Sequence, residues 1–196
     1  MKIGIMGGTF NPIHNAHLLI AEMAREEYGL DRVIFITDGN PPHKSANVTA
    51  KQRFEMTHIA IADNSAFEED DFEINRSEKS YTVNTLGYLK EKYPNDDLFF
   101  IIGEDSLRDL PSWYMPEKLL EMCTLLVFPR TSVKSLETMI SDINKRFKKT
   151  ILPIASPVIQ ISSTAVRKRI EQGKSVRYMV PDAVIEYIKE NRLYEK

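Results

Sequence analysis

Apolar residues follow two patterns along the chain: short continuous runs, and longer stretches in which they recur every three or four positions. Short continuous runs are typical of strands buried on both faces of a sheet. We expect strands at Lys2–Met6, Arg32–Ile36, Phe72–Ile74, Leu98–Ile102, Thr124–Phe128 and Val158–Ile161. The helical spacing predicts helices at His17–Tyr28, Lys51–Ala62, Tyr81–Tyr93, Lys134–Phe147, Ser163–Gln172 and Asp182–Asn191.

The alternation of these strands and helices predicts the fold class. It favours an α/β fold that is Rossmann-like and doubly wound, with a mainly parallel sheet and helices on both faces. No repeat, low-complexity run or linker interrupts the pattern, so we expect one domain over residues 1–196, with a C-terminal helical part from about residue 162 packed on it. Ligands bind such sheets beyond the carboxyl ends of the strands. The loops expected to carry the chemistry therefore follow Met6, Ile36, Ile102 and Ile161.

Composition narrows the classes of function. Apolar residues make up 42% of the chain and charged residues 28%, as in soluble globular proteins. A formal net charge of -2 gives no broad basic surface, so we expect no nucleic-acid and no membrane partner. Cys123 is the only cysteine, and the sequence has neither a signal-peptide layout nor an apolar run that would span a bilayer. We therefore expect a cytoplasmic protein, and whether it forms a homo-oligomer stays open.

A glycine pair, Gly7-Gly8, directly follows the first predicted strand. Glycine permits close backbone approach, and the amides of such a loop and of the next helix suit an anion. The segment is neither the dinucleotide-binding nor the P-loop motif. Taken alone, a glycine pair is explained equally well by a tight strand-to-helix turn.

Two histidines, His14 and His17, make an anion site the better interpretation. If the second begins a helix, both can donate hydrogen bonds to one phosphate and, when protonated, oppose developing charge. The other histidines, His43 and His58, are far away in sequence, so no protein metal site is predicted. Helix capping with surface imidazoles is the alternative.

The segment from Gly7 to His17 resembles the signature of adenylyltransferases and cytidylyltransferases that carry a His-x-Gly-His motif. Asn11 stands where this family usually has Asp, and Ala16 where it usually has Gly. Both departures concern local geometry more than activity. The resemblance implies that the segment binds ATP through Gly7, Gly8, Thr9, Phe10, His14 and His17.

A late segment, Ile161 to Arg167, resembles the second signature of this family, Ser-Ser-Thr-x-x-Arg at a helix start. Ser162 or Ser163 would cap the helix and leave amides for phosphate, and Arg167 would reach the same anion. An ordinary helix cap with a surface arginine is the alternative. The resemblance adds Ile161, Ser162, Ser163 and Arg167 to the ATP-binding residues.

The segment Gly103-Glu104-Asp105 resembles the family's Gly-x-Asp, whose carboxylate contacts the nucleotide sugar. The resemblance therefore implies that Gly103 and Asp105 bind ATP, with Asp105 at the ribose hydroxyls. Helix capping by Asp105 is the alternative.

Two further segments indicate the acceptor. Ser80–Thr85 begins a helix whose amides suit a carboxylate, and Trp113 lies in a polar, proline-flanked stretch where it is placed to stack on a flat ring. A ring with a carboxylate describes nicotinate. These segments are similar to those of bacterial nicotinate-nucleotide adenylyltransferases, although Asn84 replaces the usual Asp. The segments from Val180 to Asp182 and from Asn191 to Tyr194 are similar too.

The stiff turn from Asn40 to Lys44 lies near the triphosphate, according to the resemblance, with Lys44 as the better phosphate partner. The resemblance gives a set of residues that bind the substrate: Asn11, Asn40, His43, Lys44, Tyr81, Thr82, Thr85, Trp113 and Tyr114.

The resemblance implies transfer of AMP from ATP to nicotinate mononucleotide, which gives deamido-NAD and pyrophosphate. The acceptor phosphate is already a nucleophile, so catalysis needs positioning and charge stabilisation rather than a general base. The candidates for this role are His14, His17, Lys44 and Arg167. Mg²⁺ would enter with ATP, held mainly by triphosphate oxygens, and no dedicated protein site is predicted.

Three alternatives stay open at this point. An enzyme for nicotinamide mononucleotide differs only in an amide on the substrate. Phosphopantetheine adenylyltransferases share the first loop and the late serine motif but do not need the Tyr-Thr and Trp-Tyr segments. A non-catalytic nucleotide sensor on the same fold would keep the phosphate amides and would not need the histidine pair.

Overall fold

The computed structural model describes residues 1–40, 48–130 and 132–195. Its sheet contains strands β1 (Lys2–Gly8), β2 (Arg32–Thr37), β3 (Phe67–Asp70), β4 (Asp97–Gly103), β5 (Thr124–Phe128) and β6 (Ile151–Pro153). Their order across the sheet is β3-β2-β1-β4-β5-β6, and each of these neighbouring pairs is parallel. This is the doubly wound, Rossmann-like order, so the predicted fold class is confirmed.

Helices connect the strands. They are α1 (Asn15–Tyr28), α2 (Ala50–Ile61), α3 (Thr82–Lys92), α4 (Glu104–Asp109), α5 (Pro116–Met122), α6 (Val133–Phe147), α7 (Ser163–Glu171) and α8 (Asp182–Glu190), with a short 3-10 helix at Leu110–Ser112. Among the described residues, we find no helix with the length and apolar character needed to cross a membrane.

Strand residues alternate between two apolar cores, one on each face of the sheet, which explains why the strands are continuous apolar runs. In β1, Met6 belongs to the first core, whereas Ile3 and Ile5 belong to the second. The first core contains buried residues of α1, α2, α7 and α8. The second contains buried residues of α3, α4, α5 and α6. Helices therefore cover both faces, and the two C-terminal helices pack on the sheet beside α1 and α2.

The predicted strand Phe72–Ile74 is wrong, because residues 72–75 form a turn and the third strand lies earlier, at Phe67–Asp70. Only Phe67 and Asp70 of that strand are buried, since it lies at the edge of the sheet. Its two central residues are glutamates, so the sequence has no continuous apolar run at this strand. Phe72 is instead stacked on the Tyr88 ring at 4.1 Å.

The predicted strand Val158–Ile161 is also wrong, and the sixth strand is Ile151–Pro153. Ile159 and Ile161 are partly buried and pack against the first core without joining the sheet. Core packing of alternate residues produces the same apolar pattern as a strand, so the pattern alone could not separate the two. The next helix nevertheless begins at Ser163, as predicted, with Ser162 as its N-cap.

Two helices, α4 and α5, have no counterpart among the predicted elements. They span Glu104–Asp109 and Pro116–Met122, fewer than two turns each, which is too short for a helical repeat to appear in the sequence. The first helix begins at Asn15, so the predicted start at His17 lies one half-turn late.

Candidate active site

The candidate site lies where the chain reverses its direction of winding across the sheet. Strands β1 and β4 are neighbours, with Met6 beside Ile101, while β2 and β5 continue on opposite sides. Ligands bind doubly wound sheets at this switch point. The first loop and the Gly103–Asp105 segment therefore begin side by side at the carboxyl edge of the sheet.

The glycines at this edge make room for aromatic rings. A Cβ on Gly8 would lie 2.9 Å from the Phe10 ring, and one on Gly103 would lie 3.0 Å from the Phe128 ring. Phe10 itself adopts the left-handed backbone region, with φ of 45°, and is buried. Close packing therefore requires glycine here, in addition to any approach by a ligand.

His14 and His17 flank the start of α1, and their rings stack with centroids 3.6 Å apart. The backbone N–H of His14 donates to Nδ1 of His17 at 3.2 Å. An accepting Nδ1 places the proton of a neutral imidazole on Nε2. Phe10 packs edge-on against the His17 ring at 5.0 Å, which further defines its orientation.

The environment of His14 favours its neutral form. Burial, with a smaller contribution from the Arg130 guanidinium, lowers its pKa to about 4. His14 therefore acts near neutral pH as a hydrogen-bonding group, and a bound phosphate would have to supply the negative charge that stabilises its protonated form. Arg130 was not among the predicted site residues, although it follows the carboxyl end of β5.

The late helix α7 contacts the first loop directly. Ser163 Oγ donates to the carbonyl oxygen of Pro12 at 2.9 Å, and Arg167 Nη1 donates to that of Asn11 at 2.7 Å. Ser162 is the residue that caps the helix, accepting from the backbone N–H of Ala165. The structure thus brings the two family-like motifs together and divides the predicted capping and contact roles between the two serines.

The two departures from the family motif have local explanations. Asn11 is buried, and its Oδ1 accepts a hydrogen bond from the Tyr194 hydroxyl at 2.7 Å. The side chain thus uses the acceptor that it shares with Asp. Ala16 lies inside α1, where helical backbone accommodates a Cβ.

Buried Arg53 and Glu73 form a polar cluster with half-buried Asp38 next to the first loop. Arg53 is 1% exposed and donates from Nη1 to the carbonyl oxygen of Thr9 at 2.6 Å and from Nη2 to that of Gly39 at 3.4 Å. Thr9 Oγ1 donates to Asp38 at 3.0 Å. The cluster therefore joins the loops that follow β1 and β2.

Glu73 extends this cluster to the acceptor segment, where the Thr85 hydroxyl donates to its carboxyl at 2.5 Å. Burial, with the nearby Asp38 charge, raises the pKa of Glu73 to about 7. Neither Arg53 nor Glu73 was among the predicted site residues. The one sequence feature that could have indicated them is that each is a charged residue within a predicted apolar helix or strand.

The segments predicted to bind the acceptor meet through Asn40 and Tyr81. The Asn40 side-chain amide donates to the backbone carbonyl oxygen of Ser77 at 3.1 Å, and the backbone carbonyl oxygen of Asn40 accepts from the Ser80 backbone N–H at 3.0 Å. The Tyr81 ring lies 4.9 Å from the Tyr114 ring. The segments around residues 40, 80 and 114 are thus brought together.

Other predicted residues occupy varied positions. Trp113 is partly buried against the second core, whereas Tyr114 is exposed. Thr82 is the first residue of α3. Asp105 lies in the first turn of α4, exposed, and accepts from Arg108 at 3.0 Å. His43 and Lys44 lie outside the described residues.

Comparisons with known proteins give the family. The cytidylyltransferase-like family model matches residues 5–169. A "Probable nicotinate-nucleotide adenylyltransferase" of Citrifermentans bemidjiense is 41% identical, covering 99% of this chain and 98% of its own. Another protein of the same name, from Caldicellulosiruptor saccharolyticus, is 41% identical, and the match covers 100% of this chain and 100% of that protein.

Solved structures agree in fold. Nicotinic acid mononucleotide adenylyltransferase of Plasmodium falciparum, complexed with NaAD, superposes with a TM-score of 0.80 at 24% identity, over 98% of this chain and 97% of that one. Its complex with APC gives a TM-score of 0.78. The full-length similarity to the curated relatives, together with the family model, shows that this chain belongs to the nicotinate-nucleotide adenylyltransferase family, within the cytidylyltransferase-like proteins.

Proposed function

We propose that this protein transfers AMP from ATP to nicotinate mononucleotide, forming deamido-NAD and pyrophosphate in NAD biosynthesis. The observation that carries the proposal is the contact of Ser163 and Arg167 with the first loop, beside the stacked pair His14 and His17. Family membership supports the same activity.

The start of α1 and the start of α7 provide the proposed triphosphate site. Helix N-termini carry unpaired amides and a positive dipole end, and two of them near one loop favour a polyanion. The ATP-binding residues proposed here are Gly7, Gly8, Thr9, Phe10, His14, His17, Gly103, Asp105, Ile161, Ser162, Ser163 and Arg167.

The proposed reaction is an in-line displacement. An oxygen of the acceptor phosphate bonds to the α-phosphorus of ATP, and the bond from that phosphorus to the oxygen bridging toward the β-phosphate breaks. Pyrophosphate leaves with the electron pair, and no proton has to be removed from the nucleophile. The side chains of His14, His17 and Arg167 stabilise the added negative charge by hydrogen bonds, and Lys44 is proposed to assist them.

The acceptor is proposed to bind at the other end of the site. The nicotinate ring would stack on Trp113, and its carboxylate would accept hydrogen bonds from the amides at the start of α3. Asn11, Asn40, His43, Lys44, Tyr81, Thr82, Thr85 and Tyr114 complete the proposed substrate-binding set. A positive helix end favours the acid over the neutral amide.

Magnesium is proposed to be held by triphosphate oxygens. Within residues 1–40, 48–130 and 132–195, no group of three or more His, Cys, Asp or Glu side chains could hold a metal ion. Mg²⁺ commonly binds through substrate phosphates and keeps few protein ligands. When bound there, Mg²⁺ neutralises triphosphate charge. A cytoplasmic location, where ATP is available, completes the proposal.

Pyrophosphate release from ATP tests the function. Nicotinate mononucleotide, its amide and phosphopantetheine are supplied separately as acceptors, and nicotinate mononucleotide should give the highest kcat/KM. Equal kcat/KM for acid and amide would contradict the carboxylate site. Preference for phosphopantetheine would identify a different member of the superfamily. No turnover with any acceptor, despite ATP binding, would indicate a nucleotide sensor.

A further inference from the structure

Glu104 is a carboxylate with 0% exposure at the first position of α4, directly after the strand that leads into the site. Its Oε2 accepts the backbone N–H of Arg130 at 2.8 Å, and its Oε1 accepts the Ser135 hydroxyl at 3.2 Å. The Arg108 guanidinium lies 3.8 Å away. A carboxylate so completely removed from water is costly unless hydrogen bonds compensate, so these contacts define a built arrangement.

Both donors belong to the connection between β5 and α6. Arg130 follows the end of β5, and Ser135 lies in the first turn of α6. Glu104 therefore ties the loop after β4 to the loop after β5 through contacts that span 26 and 31 residues of sequence.

The Arg130 side chain runs toward the site from the backbone that Glu104 holds. Its guanidinium lies over the Phe128 ring, 5.0 Å from the centroid, and its Nε is 3.4 Å from where a Cβ of Gly103 would be. The side chain thus passes over the end of β4, next to the end of β1 and the first loop. The lowered pKa of His14, to which the Arg130 charge contributes, agrees with this placement.

We infer that Glu104 is a positioning residue: by holding the backbone of Arg130 and the hydroxyl of Ser135, it keeps the Arg130 guanidinium over the end of β4, next to the first loop and the proposed phosphate end of the site. This inference rests on the proposed function, because a cation at that place acts on the triphosphate. Arg130 then adds a fixed positive charge to those of the helix N-termini and Arg167.

Glutamine and methionine are the informative replacements at this position. Glu104→Gln keeps one acceptor oxygen for the Arg130 N–H, and its amide can donate to Ser135, whose hydroxyl can accept as well as donate. Glu104→Met fills nearly the same volume and accepts no such hydrogen bonds. The pair therefore separates loss of hydrogen bonding from loss of packing.

Steady-state kinetics with ATP and nicotinate mononucleotide measure the effect. Glu104→Met should lower kcat/KM for ATP about tenfold, as loss of a fixed charge contact does, while Glu104→Gln stays within about threefold. Arg130→Met should cause a comparable loss. In the Arg130→Met background, Glu104→Met should cost less than about twofold more, since its effect passes through Arg130. If the kcat/KM loss in the double variant equals the product of the two single losses, the inference is wrong.

NMR titration of His14 gives a readout that is independent of turnover. Its pKa should rise in Arg130→Met and by a similar amount in Glu104→Met, because both remove the guanidinium charge from its vicinity. The rise is partial, since burial is the larger cause of the low pKa. An unchanged His14 titration in a folded Glu104→Met protein would assign Glu104 a purely structural role.

The Glu104→Asp variant tests the inference even where Glu104→Met fails to fold. Glu104→Asp keeps the charge but withdraws the oxygens from the Arg130 N–H, and it should lower kcat/KM in the same direction as Met. Full activity in Glu104→Asp would contradict the inference. Absence of turnover with nicotinate mononucleotide in the unmodified protein would count against the proposed function, while the His14 titration would still test the role of Glu104.

Discussion

At the proposed phosphate end of the site, Arg167 and Tyr194 both hydrogen-bond to Asn11, and the His14 and His17 rings stack on each other. At the acceptor end, the Tyr81 ring lies against an exposed Tyr114. The first end is made of buried and half-buried groups fixed by hydrogen bonds between distant parts of the chain. The second end relies more on aromatic side chains at the surface.

This difference matches the tasks proposed for the two ends. Charge stabilisation needs donors that are already in place when the reaction occurs, because reorganising them costs free energy. Acceptor choice needs shape and ring contact, which surface loops on a rigid scaffold supply. Changes at the phosphate end should therefore lower kcat, and changes at the acceptor end should raise KM for the acceptor.

The largest expected effect is at His17. His17→Ala should lower kcat by about a hundredfold, as loss of one charge-stabilising donor does. The control is His17→Asn, whose side-chain oxygen can still accept the His14 N–H while the Nε2 donor is lost. Its kcat should be nearly as low. Recovery of the rate in His17→Asn would assign His17 to helix capping.

The next largest effect is expected on the free energy of unfolding, and it concerns Glu73 in the polar cluster. The pKa of Glu73 is raised to about 7 in the folded protein, whereas it is near 4.5 in the unfolded chain. The contribution of the protonated carboxyl group to the free energy of unfolding is therefore fully present below pH 4.5 and is lost as the pH rises through 7. Glu73→Gln removes this dependence. Relative to that variant, the wild type should lose about 2 kcal/mol between pH 5 and pH 8.

Urea unfolding of both proteins at the two pH values measures this difference. Thr85 keeps an acceptor in Glu73→Gln, so the comparison isolates the titration of the carboxyl group. Equal pH dependence of the two free energies of unfolding would show that Glu73 is ionised in the folded protein at neutral pH.

Trp113 should give a smaller effect, confined to the acceptor. Trp113→Ala should weaken binding of nicotinate mononucleotide about tenfold, which is typical for loss of base–aromatic stacking, and leave ATP binding unchanged. Trp113→Phe keeps a ring and should retain most of the affinity. Calorimetric titration measures both ligands. An unaltered acceptor affinity in the alanine variant would exclude stacking.

The smallest effect is expected for Asn11→Asp, which restores the residue usual in the family. The Tyr194 hydroxyl can donate to either side chain, so kcat/KM should change by less than about threefold. Tyr194→Phe should cost more than Asn11→Asp, because it leaves a buried acceptor without its donor. The reverse order would show that the charge at position 11, rather than its hydrogen bond, governs the loop.

Local patterns in the sequence predicted the parallel sheet and the loops after Met6, Ile36 and Ile102, because buried parallel strands leave a strong apolar signal. They failed for the edge strand Phe67–Asp70, whose two central residues are glutamates and give no apolar run. In the candidate site, the motifs around His14 and Ser163 were visible as local segments. Buried charges such as Arg53 and Glu104 were not, because their partners lie far away in sequence and only the fold brings them together.

The bond from Tyr194 to Asn11 joins residues 183 positions apart. During synthesis the loop at Asn11 emerges before every later strand, whereas Tyr194 is made after the whole sheet. A growing chain can therefore pair its strands on the ribosome while this loop still lacks its last contact. The loop at Asn11 therefore gains this last hydrogen bond only once translation has passed Tyr194.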